Sequence, residues 1–444
     1  MSAKGSNNKC MVVGLGMTGL STARYLARSG RAFDLCDTRE TLPALAELQR
    51  EFPEAQIITG ALNGELLSQY DELIVSPGIA LAEPAIQQAI AAGVAVAGDI
   101  QLFARQCQKP IIAITGSNGK STVTTLVGEL LQAAGMAVGV GGNIGVPALD
   151  LGEADIYVLE LSSFQLETTT DLSAEVAVIL NLSEDHMDRY TGMDDYLQAK
   201  QRIFQGARHA VLNRDDAATQ PVGCEAEISF GVAVPAANEF GLIRKDGESW
   251  ISFGEQAVIA ASDLKIKGQH NLANVMASLA LVQLVGVDIE KVLPALKDFA
   301  GLDHRCQWLG EHEQVSFYND SKGTNVGSTL AAINGLGPEV NGKIWLLAGG
   351  EGKGQDFSPL AEPCGEYCAE VLTYGADAMI IANAVSGDVA VSQQDTMKEA
   401  FDRALSLAEE GDVILLSPAC ASFDQFKNYV ERGEYFRSLV EEVL

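Results

Sequence analysis

The chain has 444 residues, of which 47% are hydrophobic and 20% charged, an ordinary balance for a globular α/β protein of roughly three domains and one that excludes a largely disordered chain. Its 30 basic and 59 acidic residues leave a formal net charge of −29, a field that repels phosphate backbones and anionic lipid, so neither nucleic acid nor a membrane surface is the expected partner. No run reaches the length of about 18 apolar residues that spans a bilayer, and the polar start lacks a signal-peptide core.

The eight cysteines are scattered. Only Cys364 and Cys368 lie close, and no second pair completes a zinc set, so they read as reduced thiols of a cytoplasmic protein.

The first segment opens with the strand-like run Cys10–Gly14, then Gly16 and Gly19, and a helical pattern ending at Gly30. Ala32–Cys36 is a second strand that leads into Asp37, Thr38 and Arg39. Glu72–Ser76 is a third, ending in Pro77-Gly78, and Ala91–Gly98 reads as the last strand before a boundary. Alternating strands and helices predict a parallel sheet with ligands at the strands' C-terminal ends. The Gly14, Gly16, Gly19 spacing with Asp37 beyond it fits a dinucleotide turn. Spacing alone leaves NAD(P), another nucleotide ligand, or a structural turn open.

A second segment begins near Asp99. The apolar strand Lys109–Thr115 runs into Thr115-Gly-Ser-Asn-Gly-Lys120-Ser121-Thr122, and a helix follows with Val123, Leu126, Val127, Leu130 and Leu131 on one face, ending near Gly135. Glycines let loop amides turn toward phosphate oxygens, a lysine neutralises them, and a hydroxyl at Ser121 or Thr122 can ligate Mg²⁺. Two residues, not the usual four, separate Gly116 from Gly119; the bland alternative is a tight strand–helix turn with an incidental lysine. Glu160 closes the strand Ile156–Leu159, where an acid serving a phosphate loop belongs. His186 follows the strand Val176–Leu180 among Glu184, Asp185 and Asp188. It reads as a metal ligand, a general base, or a surface histidine in an acidic loop. The turn-rich stretch Gln220–Leu264 suggests a small accessory sheet.

A third α/β segment starts near Gly301, with strands at Val315–Tyr318, Lys343–Ala348 and Val413–Leu416. Three polar loops, Asn319–Asn325, Gly349–Lys353 and Ser417–Asp424, follow these strands and together suggest a binding face.

Taken in order, Gly116–Thr122, Glu160-Leu-Ser-Ser-Phe-Gln165-Leu-Glu, Glu184–Tyr190, Gly268-Gln-His-Asn271, His304-Arg305 and Asn319–Asn325 resemble the Mur ligases along nearly the whole chain, most weakly between Pro221 and Leu264. The resemblance replaces the NAD(P) reading. It implies an α/β protein of three domains: an N-terminal Rossmann-like domain for the UDP-linked substrate (residues 1–98), a central P-loop ATPase-like domain (99–301), and a C-terminal Rossmann-like α/β domain for the incoming amino acid (302–444). The implied chemistry is ATP-dependent ligation of D-glutamate to UDP-N-acetylmuramoyl-L-alanine through an acyl phosphate, in the cytoplasmic stage of peptidoglycan synthesis, by a monomer.

By that resemblance Gly116, Ser117, Asn118, Gly119, Lys120, Ser121, Thr122, Asn271, Arg305 and Asp320 contact ATP. Thr18, Thr38, Arg39, Ser76 and Gly78 hold the uridine diphosphate group, and Asn143 a more central part of the substrate. Ser121, Glu160, His186 and a carbamylated Lys200 organise two Mg²⁺ ions, so that Lys120, Glu160, His186 and Lys200 form the catalytic set. Lys322, Thr324, Lys353, Ser422, Phe423 and Tyr429 fall at positions that receive D-glutamate.

Gly323 departs from the expected alanine, Glu351 from an aspartate, Phe423 from a leucine and Tyr429 from a phenylalanine. The third domain also lacks the Asn-Pro-Arg signature of relatives that take a diamino acid, which favours glutamate. A folate polyglutamylating ligase leaves the first domain without a purpose. A dehydrogenase would use Gly14–Gly19 for NAD, and the clustered Glu160, His186 and Lys200 argue against a nucleotide-dependent switch without synthesis.

Overall fold

Three sheets, one for each sequence segment, carry the described strands. The computed structural model describes residues 9–42, 45–187 and 189–444. Residues 1–8, which make up most of the polar start, and Asp188, one of the carboxylates beside His186 in sequence, lie outside the described residues.

The first sheet holds β1 (Cys10–Val13), β2 (Phe33–Asp37), β3 (Ile57–Thr59), β4 (Glu72–Val75) and β5 (Ala95–Ala97), all parallel, in the order β3-β2-β1-β4-β5. Every residue of β1 is buried, the pattern of a central parallel strand covered on both faces. The run expected as a last strand over Ala91–Gly98 is divided: helix Pro84–Ala91 ends there, Gly93 turns the chain at φ +87°, and only Ala95–Ala97 pairs. A positive φ at that turn is why glycine interrupts the apolar run.

The central sheet holds β6 (Ile111–Thr115), β7 (Val138–Gly142), β8 (Ile156–Glu160), β9 (Val176–Ile179), β10 (His209–Asn213), β11 (Ala226–Phe230), β12 (Glu239–Lys245), β13 (Glu248–Phe253) and β14 (Gln256–Ala260). Its order is β14-β13-β12-β11-β10-β9-β6-β8-β7. The turn-rich stretch is therefore no separate accessory sheet. β11 pairs in parallel with β10 and β12 in parallel with β11, and the antiparallel pairs β12–β13 and β13–β14 prolong the same sheet. One apolar cluster runs from Leu26, Ile100 and Phe103 to Leu159 and Ile179, so the first and central sheets share part of their core.

The third sheet holds β15 (Gln307–His312), β16 (Val315–Asn319), β17 (Ile344–Gly349), β18 (Cys368–Tyr374), β19 (Ala390–Gln393) and β20 (Val413–Leu416), ordered β15-β16-β20-β17-β18-β19. β15 is antiparallel and the others run parallel. The polar loops after β16, β17 and β20 thus leave the same edge of the sheet. Cys364 and Cys368 are both buried free thiols. Among the described residues no helix is long and apolar enough to cross a membrane.

Candidate active site

Thr115 ends β6 wholly buried, and helix Lys120–Ala133 begins five residues later. Gly119 caps that helix at φ +80°, and a Cβ there would meet Asn274 Oδ1 at 2.5 Å. Both conformation and space demand glycine. The loop is braced from β9: the Asn181 carbonyl accepts from Ser117 N (3.0 Å), and its Oδ1 from Asn118 N (2.8 Å). Ser117 Oγ donates to the Ser183 carbonyl (2.9 Å) and lies 3.1 Å from the Tyr196 hydroxyl. Lys120 Nζ folds back on the carbonyls of Gly116 and Ser117, each at 2.8 Å. Burial lowers its proton affinity, while Glu160 and Asp185 act in the opposite sense.

Around this loop stand the other acidic and basic residues. Glu160, buried at the end of β8, accepts from Asn143 Nδ2 on Oε1 (2.7 Å), while its buried Oε2 has no hydrogen-bond partner. Lys200 is buried, with Nζ 2.9 Å from the Gly116 carbonyl, 3.3 Å from Thr115 Oγ1 and 4.6 Å above the Tyr196 ring. Burial first, and the Lys120 charge second, depress its pKa well below the usual lysine range. His186 sits at φ +58° with its ring 4.8 Å from Phe164. Among the described residues no three His, Cys, Asp or Glu side chains gather as a metal site by themselves. Mg²⁺, however, commonly takes one or two protein carboxylates and completes its shell with water and substrate phosphates. The orphaned Glu160 oxygen, buried close to a phosphate loop, fits that use.

The six residues expected to hold the UDP-linked substrate, Thr18, Thr38, Arg39, Ser76, Gly78 and Asn143, line one cavity of ≈ 440 Å³. Arg39 and Asp37 form a fork there, with Nε to Oδ1 and Nη2 to Oδ2 both at 2.8 Å. A second cavity, of ≈ 380 Å³, takes Asn118, Gly119, Thr122, Asn271, Arg305 and Asp320. The pair Asn143–Glu160 joins the first cavity to the phosphate loop.

The third sheet closes over that loop. Arg305 Nη2 donates to Ser121 Oγ (2.6 Å), Ser328 Oγ to Asn118 Oδ1 (2.6 Å), and Asn325 Nδ2 to Asp185 Oδ2 (3.3 Å). Lys322 also lines the second cavity, with Nζ 3.8 Å above the Tyr429 ring, and burial pushes its pKa down to about 8. Thr324 lies half-buried two residues on. Lys353, Ser422 and Phe423 belong to the two loops that the Glu351–Ala421 bridge pairs; Ser422 is buried and Phe423 is 65% exposed. At Gly323 a Cβ would come within 2.4 Å of Asp320 Oδ2, so the alanine expected there would displace the carboxyl that Ser417 Oγ holds at 2.7 Å.

Burial lifts the Asp320 carboxyl to about 7, opposed by bonds from Ser417 Oγ and Cys306 N. The folded chain then holds this proton where the unfolded chain has released it, so the group's contribution to stability falls as pH rises from about 4 to about 7. Asp320→Asn is expected to remove that loss: across the interval its urea midpoint should gain relative to the parent's, and a constant difference would contradict the assignment.

Sequence reasoning missed Asn274 beneath Gly119 and Tyr196 beside Ser117, and gave no site role to Gln165, which lies in the wall of the first cavity. The spacing of Tyr196 and Lys200, one helical turn apart in Met193–Gln201, was the available signal for Tyr196.

Comparison with known proteins bears on this geometry. Profiles described as the Mur ligase MurD-like N-terminal domain, the Mur ligase middle domain and the Mur ligase glutamate ligase domain match residues 8–98, 114–282 and 304–420. The UDP-N-acetylmuramoylalanine--D-glutamate ligase of Pseudomonas aeruginosa is 53% identical over 447 residues, covering 100% of both chains. The chain belongs to the Mur ligase family. The enzyme of the same name from Pseudomonas savastanoi is 52% identical over 97% of each chain. Among solved structures, UDP-N-acetylmuramate-alanine ligase MurC of Thermotoga maritima superposes on this Mur ligase with a TM-score of 0.61 at 18% identity, covering 98% of this chain and 99% of that one, which bears on fold alone.

Proposed function

We propose that this Mur ligase joins D-glutamate to UDP-N-acetylmuramoyl-L-alanine, driven by ATP, in peptidoglycan synthesis. The observation that carries the reading is identity of 53% to a relative bearing that activity in its name, over the full length of both chains. Its cytoplasmic setting, monomeric state and domain limits at about residues 98 and 301 belong to the same reading.

The UDP-linked substrate occupies the first cavity through Thr18, Thr38, Arg39, Ser76 and Gly78, and Asn143 directs its free carboxylate toward the phosphate loop. ATP lies on Gly116–Thr122 and contacts Asn271, Arg305 and Asp320. A carboxylate oxygen attacks the γ-phosphorus, the bond to the β–γ bridging oxygen breaks, and ADP leaves. Lys120 exchanges its two carbonyl partners for phosphate oxygens and neutralises charge as it redistributes.

Two Mg²⁺ ions, when bound, supply electrostatic stabilisation of the transferring phosphoryl group. Ser121, Glu160, His186 and Lys200 as its carbamate would hold them. A free ammonium cannot ligate a cation, whereas the carbamate is an anionic oxygen donor. The D-glutamate amine, steered by Lys322, Thr324, Lys353, Ser422, Phe423 and Tyr429, then attacks the acyl carbon, and the tetrahedral intermediate expels phosphate. The bonds from Arg305, Asn325 and Ser328 to the central domain favour a closed cleft in which the acyl phosphate is shielded from water.

The test is phosphate release with D-glutamate, L-glutamate or meso-diaminopimelate as acceptor. Release is expected only when ATP, UDP-N-acetylmuramoyl-L-alanine and D-glutamate are all present. Equal release with meso-diaminopimelate would overturn the assigned acceptor.

A further inference from the structure

Phe164, in the short helix Ser163–Glu167 after β8, is a platform for the loop that follows β9. The His186 ring packs 4.8 Å from its centroid, the Tyr190 ring stacks at 6.0 Å, and the Arg189 guanidinium lies at 4.3 Å. The His186 carbonyl accepts from Arg189 N (2.8 Å) and Tyr190 N (3.3 Å), and the Tyr190 hydroxyl is fixed by Glu167 Oε1 at 2.5 Å. The same loop is bonded to the phosphate loop through Ser183 and Ser117.

Arg189 does not stop at this platform. Its Nη2 donates to the Ile79 carbonyl (3.1 Å), and Nη1 and Nη2 reach the Pro77 carbonyl at 3.4 and 3.3 Å. Pro77 and Ile79 alternate with Ser76 and Gly78 in the wall of the ≈ 440 Å³ cavity. The turn that carries them closes on itself through Ile79 N to the Ser76 carbonyl (2.9 Å), and Ser76 Oγ binds the Gly14 carbonyl (2.7 Å). A single side chain therefore touches both the wall of the first cavity and the ring on which His186 rests. A planar guanidinium is suited to such a bridge, because its fork satisfies two carbonyls of one turn while its face lies on an aromatic ring.

We infer that Arg189 is a positioning residue that couples occupancy of the first cavity by the UDP-linked substrate to the placement of His186 beside the phosphate loop. The inference rests on the substrate reading given above. A ligand that orders the Ser76–Ile79 turn fixes both acceptors of the guanidinium. This in turn restrains the loop in which His186 takes a left-handed backbone and rests its ring on Phe164. Occupancy at one cavity thus reaches the other through a continuous set of contacts.

The experiment compares the full-length parent with Arg189→Met and Arg189→Lys by hydrogen exchange, with and without saturating UDP-N-acetylmuramoyl-L-alanine and in the absence of ATP and metal. Methionine retains contact with Phe164 but cannot donate; lysine keeps one donor group without the fork. In the parent, substrate is expected to slow exchange about tenfold both at Gly14–Gly19 and at the amides of positions 189 and 190. In Arg189→Met the first protection should remain while the second falls below about twofold, with Arg189→Lys between them. In turnover, Arg189→Met should lower kcat about tenfold and leave KM for the UDP-linked substrate within about threefold.

A purely structural role would lower the melting temperature yet preserve substrate-induced protection at 189 and 190, and that result would overturn the coupling. So would a parent protected at Gly14–Gly19 alone. Absence of protection at both segments in the parent would instead overturn the substrate reading, and the coupling with it.

Discussion

Lys120→Ala is expected to lower turnover by about 10³-fold or more while the fold and the binding of UDP-N-acetylmuramoyl-L-alanine persist. Among the described residues Lys120 Nζ donates to the carbonyls of its own loop, Gly116 and Ser117, and Lys200 Nζ also donates to the first, so removal of Lys120 leaves the Ser117 carbonyl for water to satisfy. The loop itself is held independently, by Asn181 on the amides of Ser117 and Asn118 and by Ser183 on the Ser117 hydroxyl. The loss should therefore fall on phosphoryl transfer rather than on folding. Rapid-quench assay of acyl phosphate, beside circular dichroism and substrate binding, separates the two. Turnover within tenfold of the parent would remove Lys120 from the chemistry.

Lys200→Ala should cost about 10²- to 10³-fold in turnover, and acetate or formate should restore part of it. Lys200 is buried, hydrogen-bonded to Thr115 Oγ1 and the Gly116 carbonyl, and close enough to Lys120 for the two charges to repel. A buried lysine in that position is poorly placed as a permanent cation. Reaction of its neutral amine with CO₂ would release one proton and leave an anion suited to the proposed Mg²⁺ ions. Labelled bicarbonate should give one carbamate carbon signal by NMR in the parent and none in Lys200→Ala. A variant that keeps full turnover, or that small carboxylates do not rescue while the parent carries no carbamate, would contradict this role.

The parts of the fold legible from sequence were those whose burial is symmetric. β1, β6, β9, β17 and β20 are apolar runs buried throughout, and each was recognisable as a core parallel strand. β7 escaped because Val-Gly-Val-Gly-Gly at a sheet edge has few side chains to show a pattern. β18 lies inside its sheet but carries Glu370, which is buried only because Arg403 holds both its carboxylate oxygens. A polar residue with a distant partner breaks the apolar signature without breaking the strand.

The candidate site divides in a similar way. The phosphate loop, Glu160 and the lining of the first cavity follow strand ends, where a parallel sheet presents its ligands, and could be located from local order. Asn274, Ser183 and Ser328 act through contacts made only when helix, loop and third domain meet, and Arg189 spans 110 residues of sequence to reach Ile79. Such bridges leave no short-range mark. The region proposed to receive the amine is the most dispersed, drawn from three loops and the first residue of helix Tyr429–Glu441.

The proposed reaction turns on activation of the free carboxylate of the UDP-linked substrate as an acyl phosphate beside Gly116–Thr122. UDP-N-acetylmuramoyl-L-alanine with both oxygens of its free carboxylate labelled with ¹⁸O tests this most directly, because the attacking oxygen must leave with the phosphate. One labelled oxygen in the inorganic phosphate for each amide bond formed is the predicted result. Unlabelled phosphate, released in step with the amide, would contradict the account.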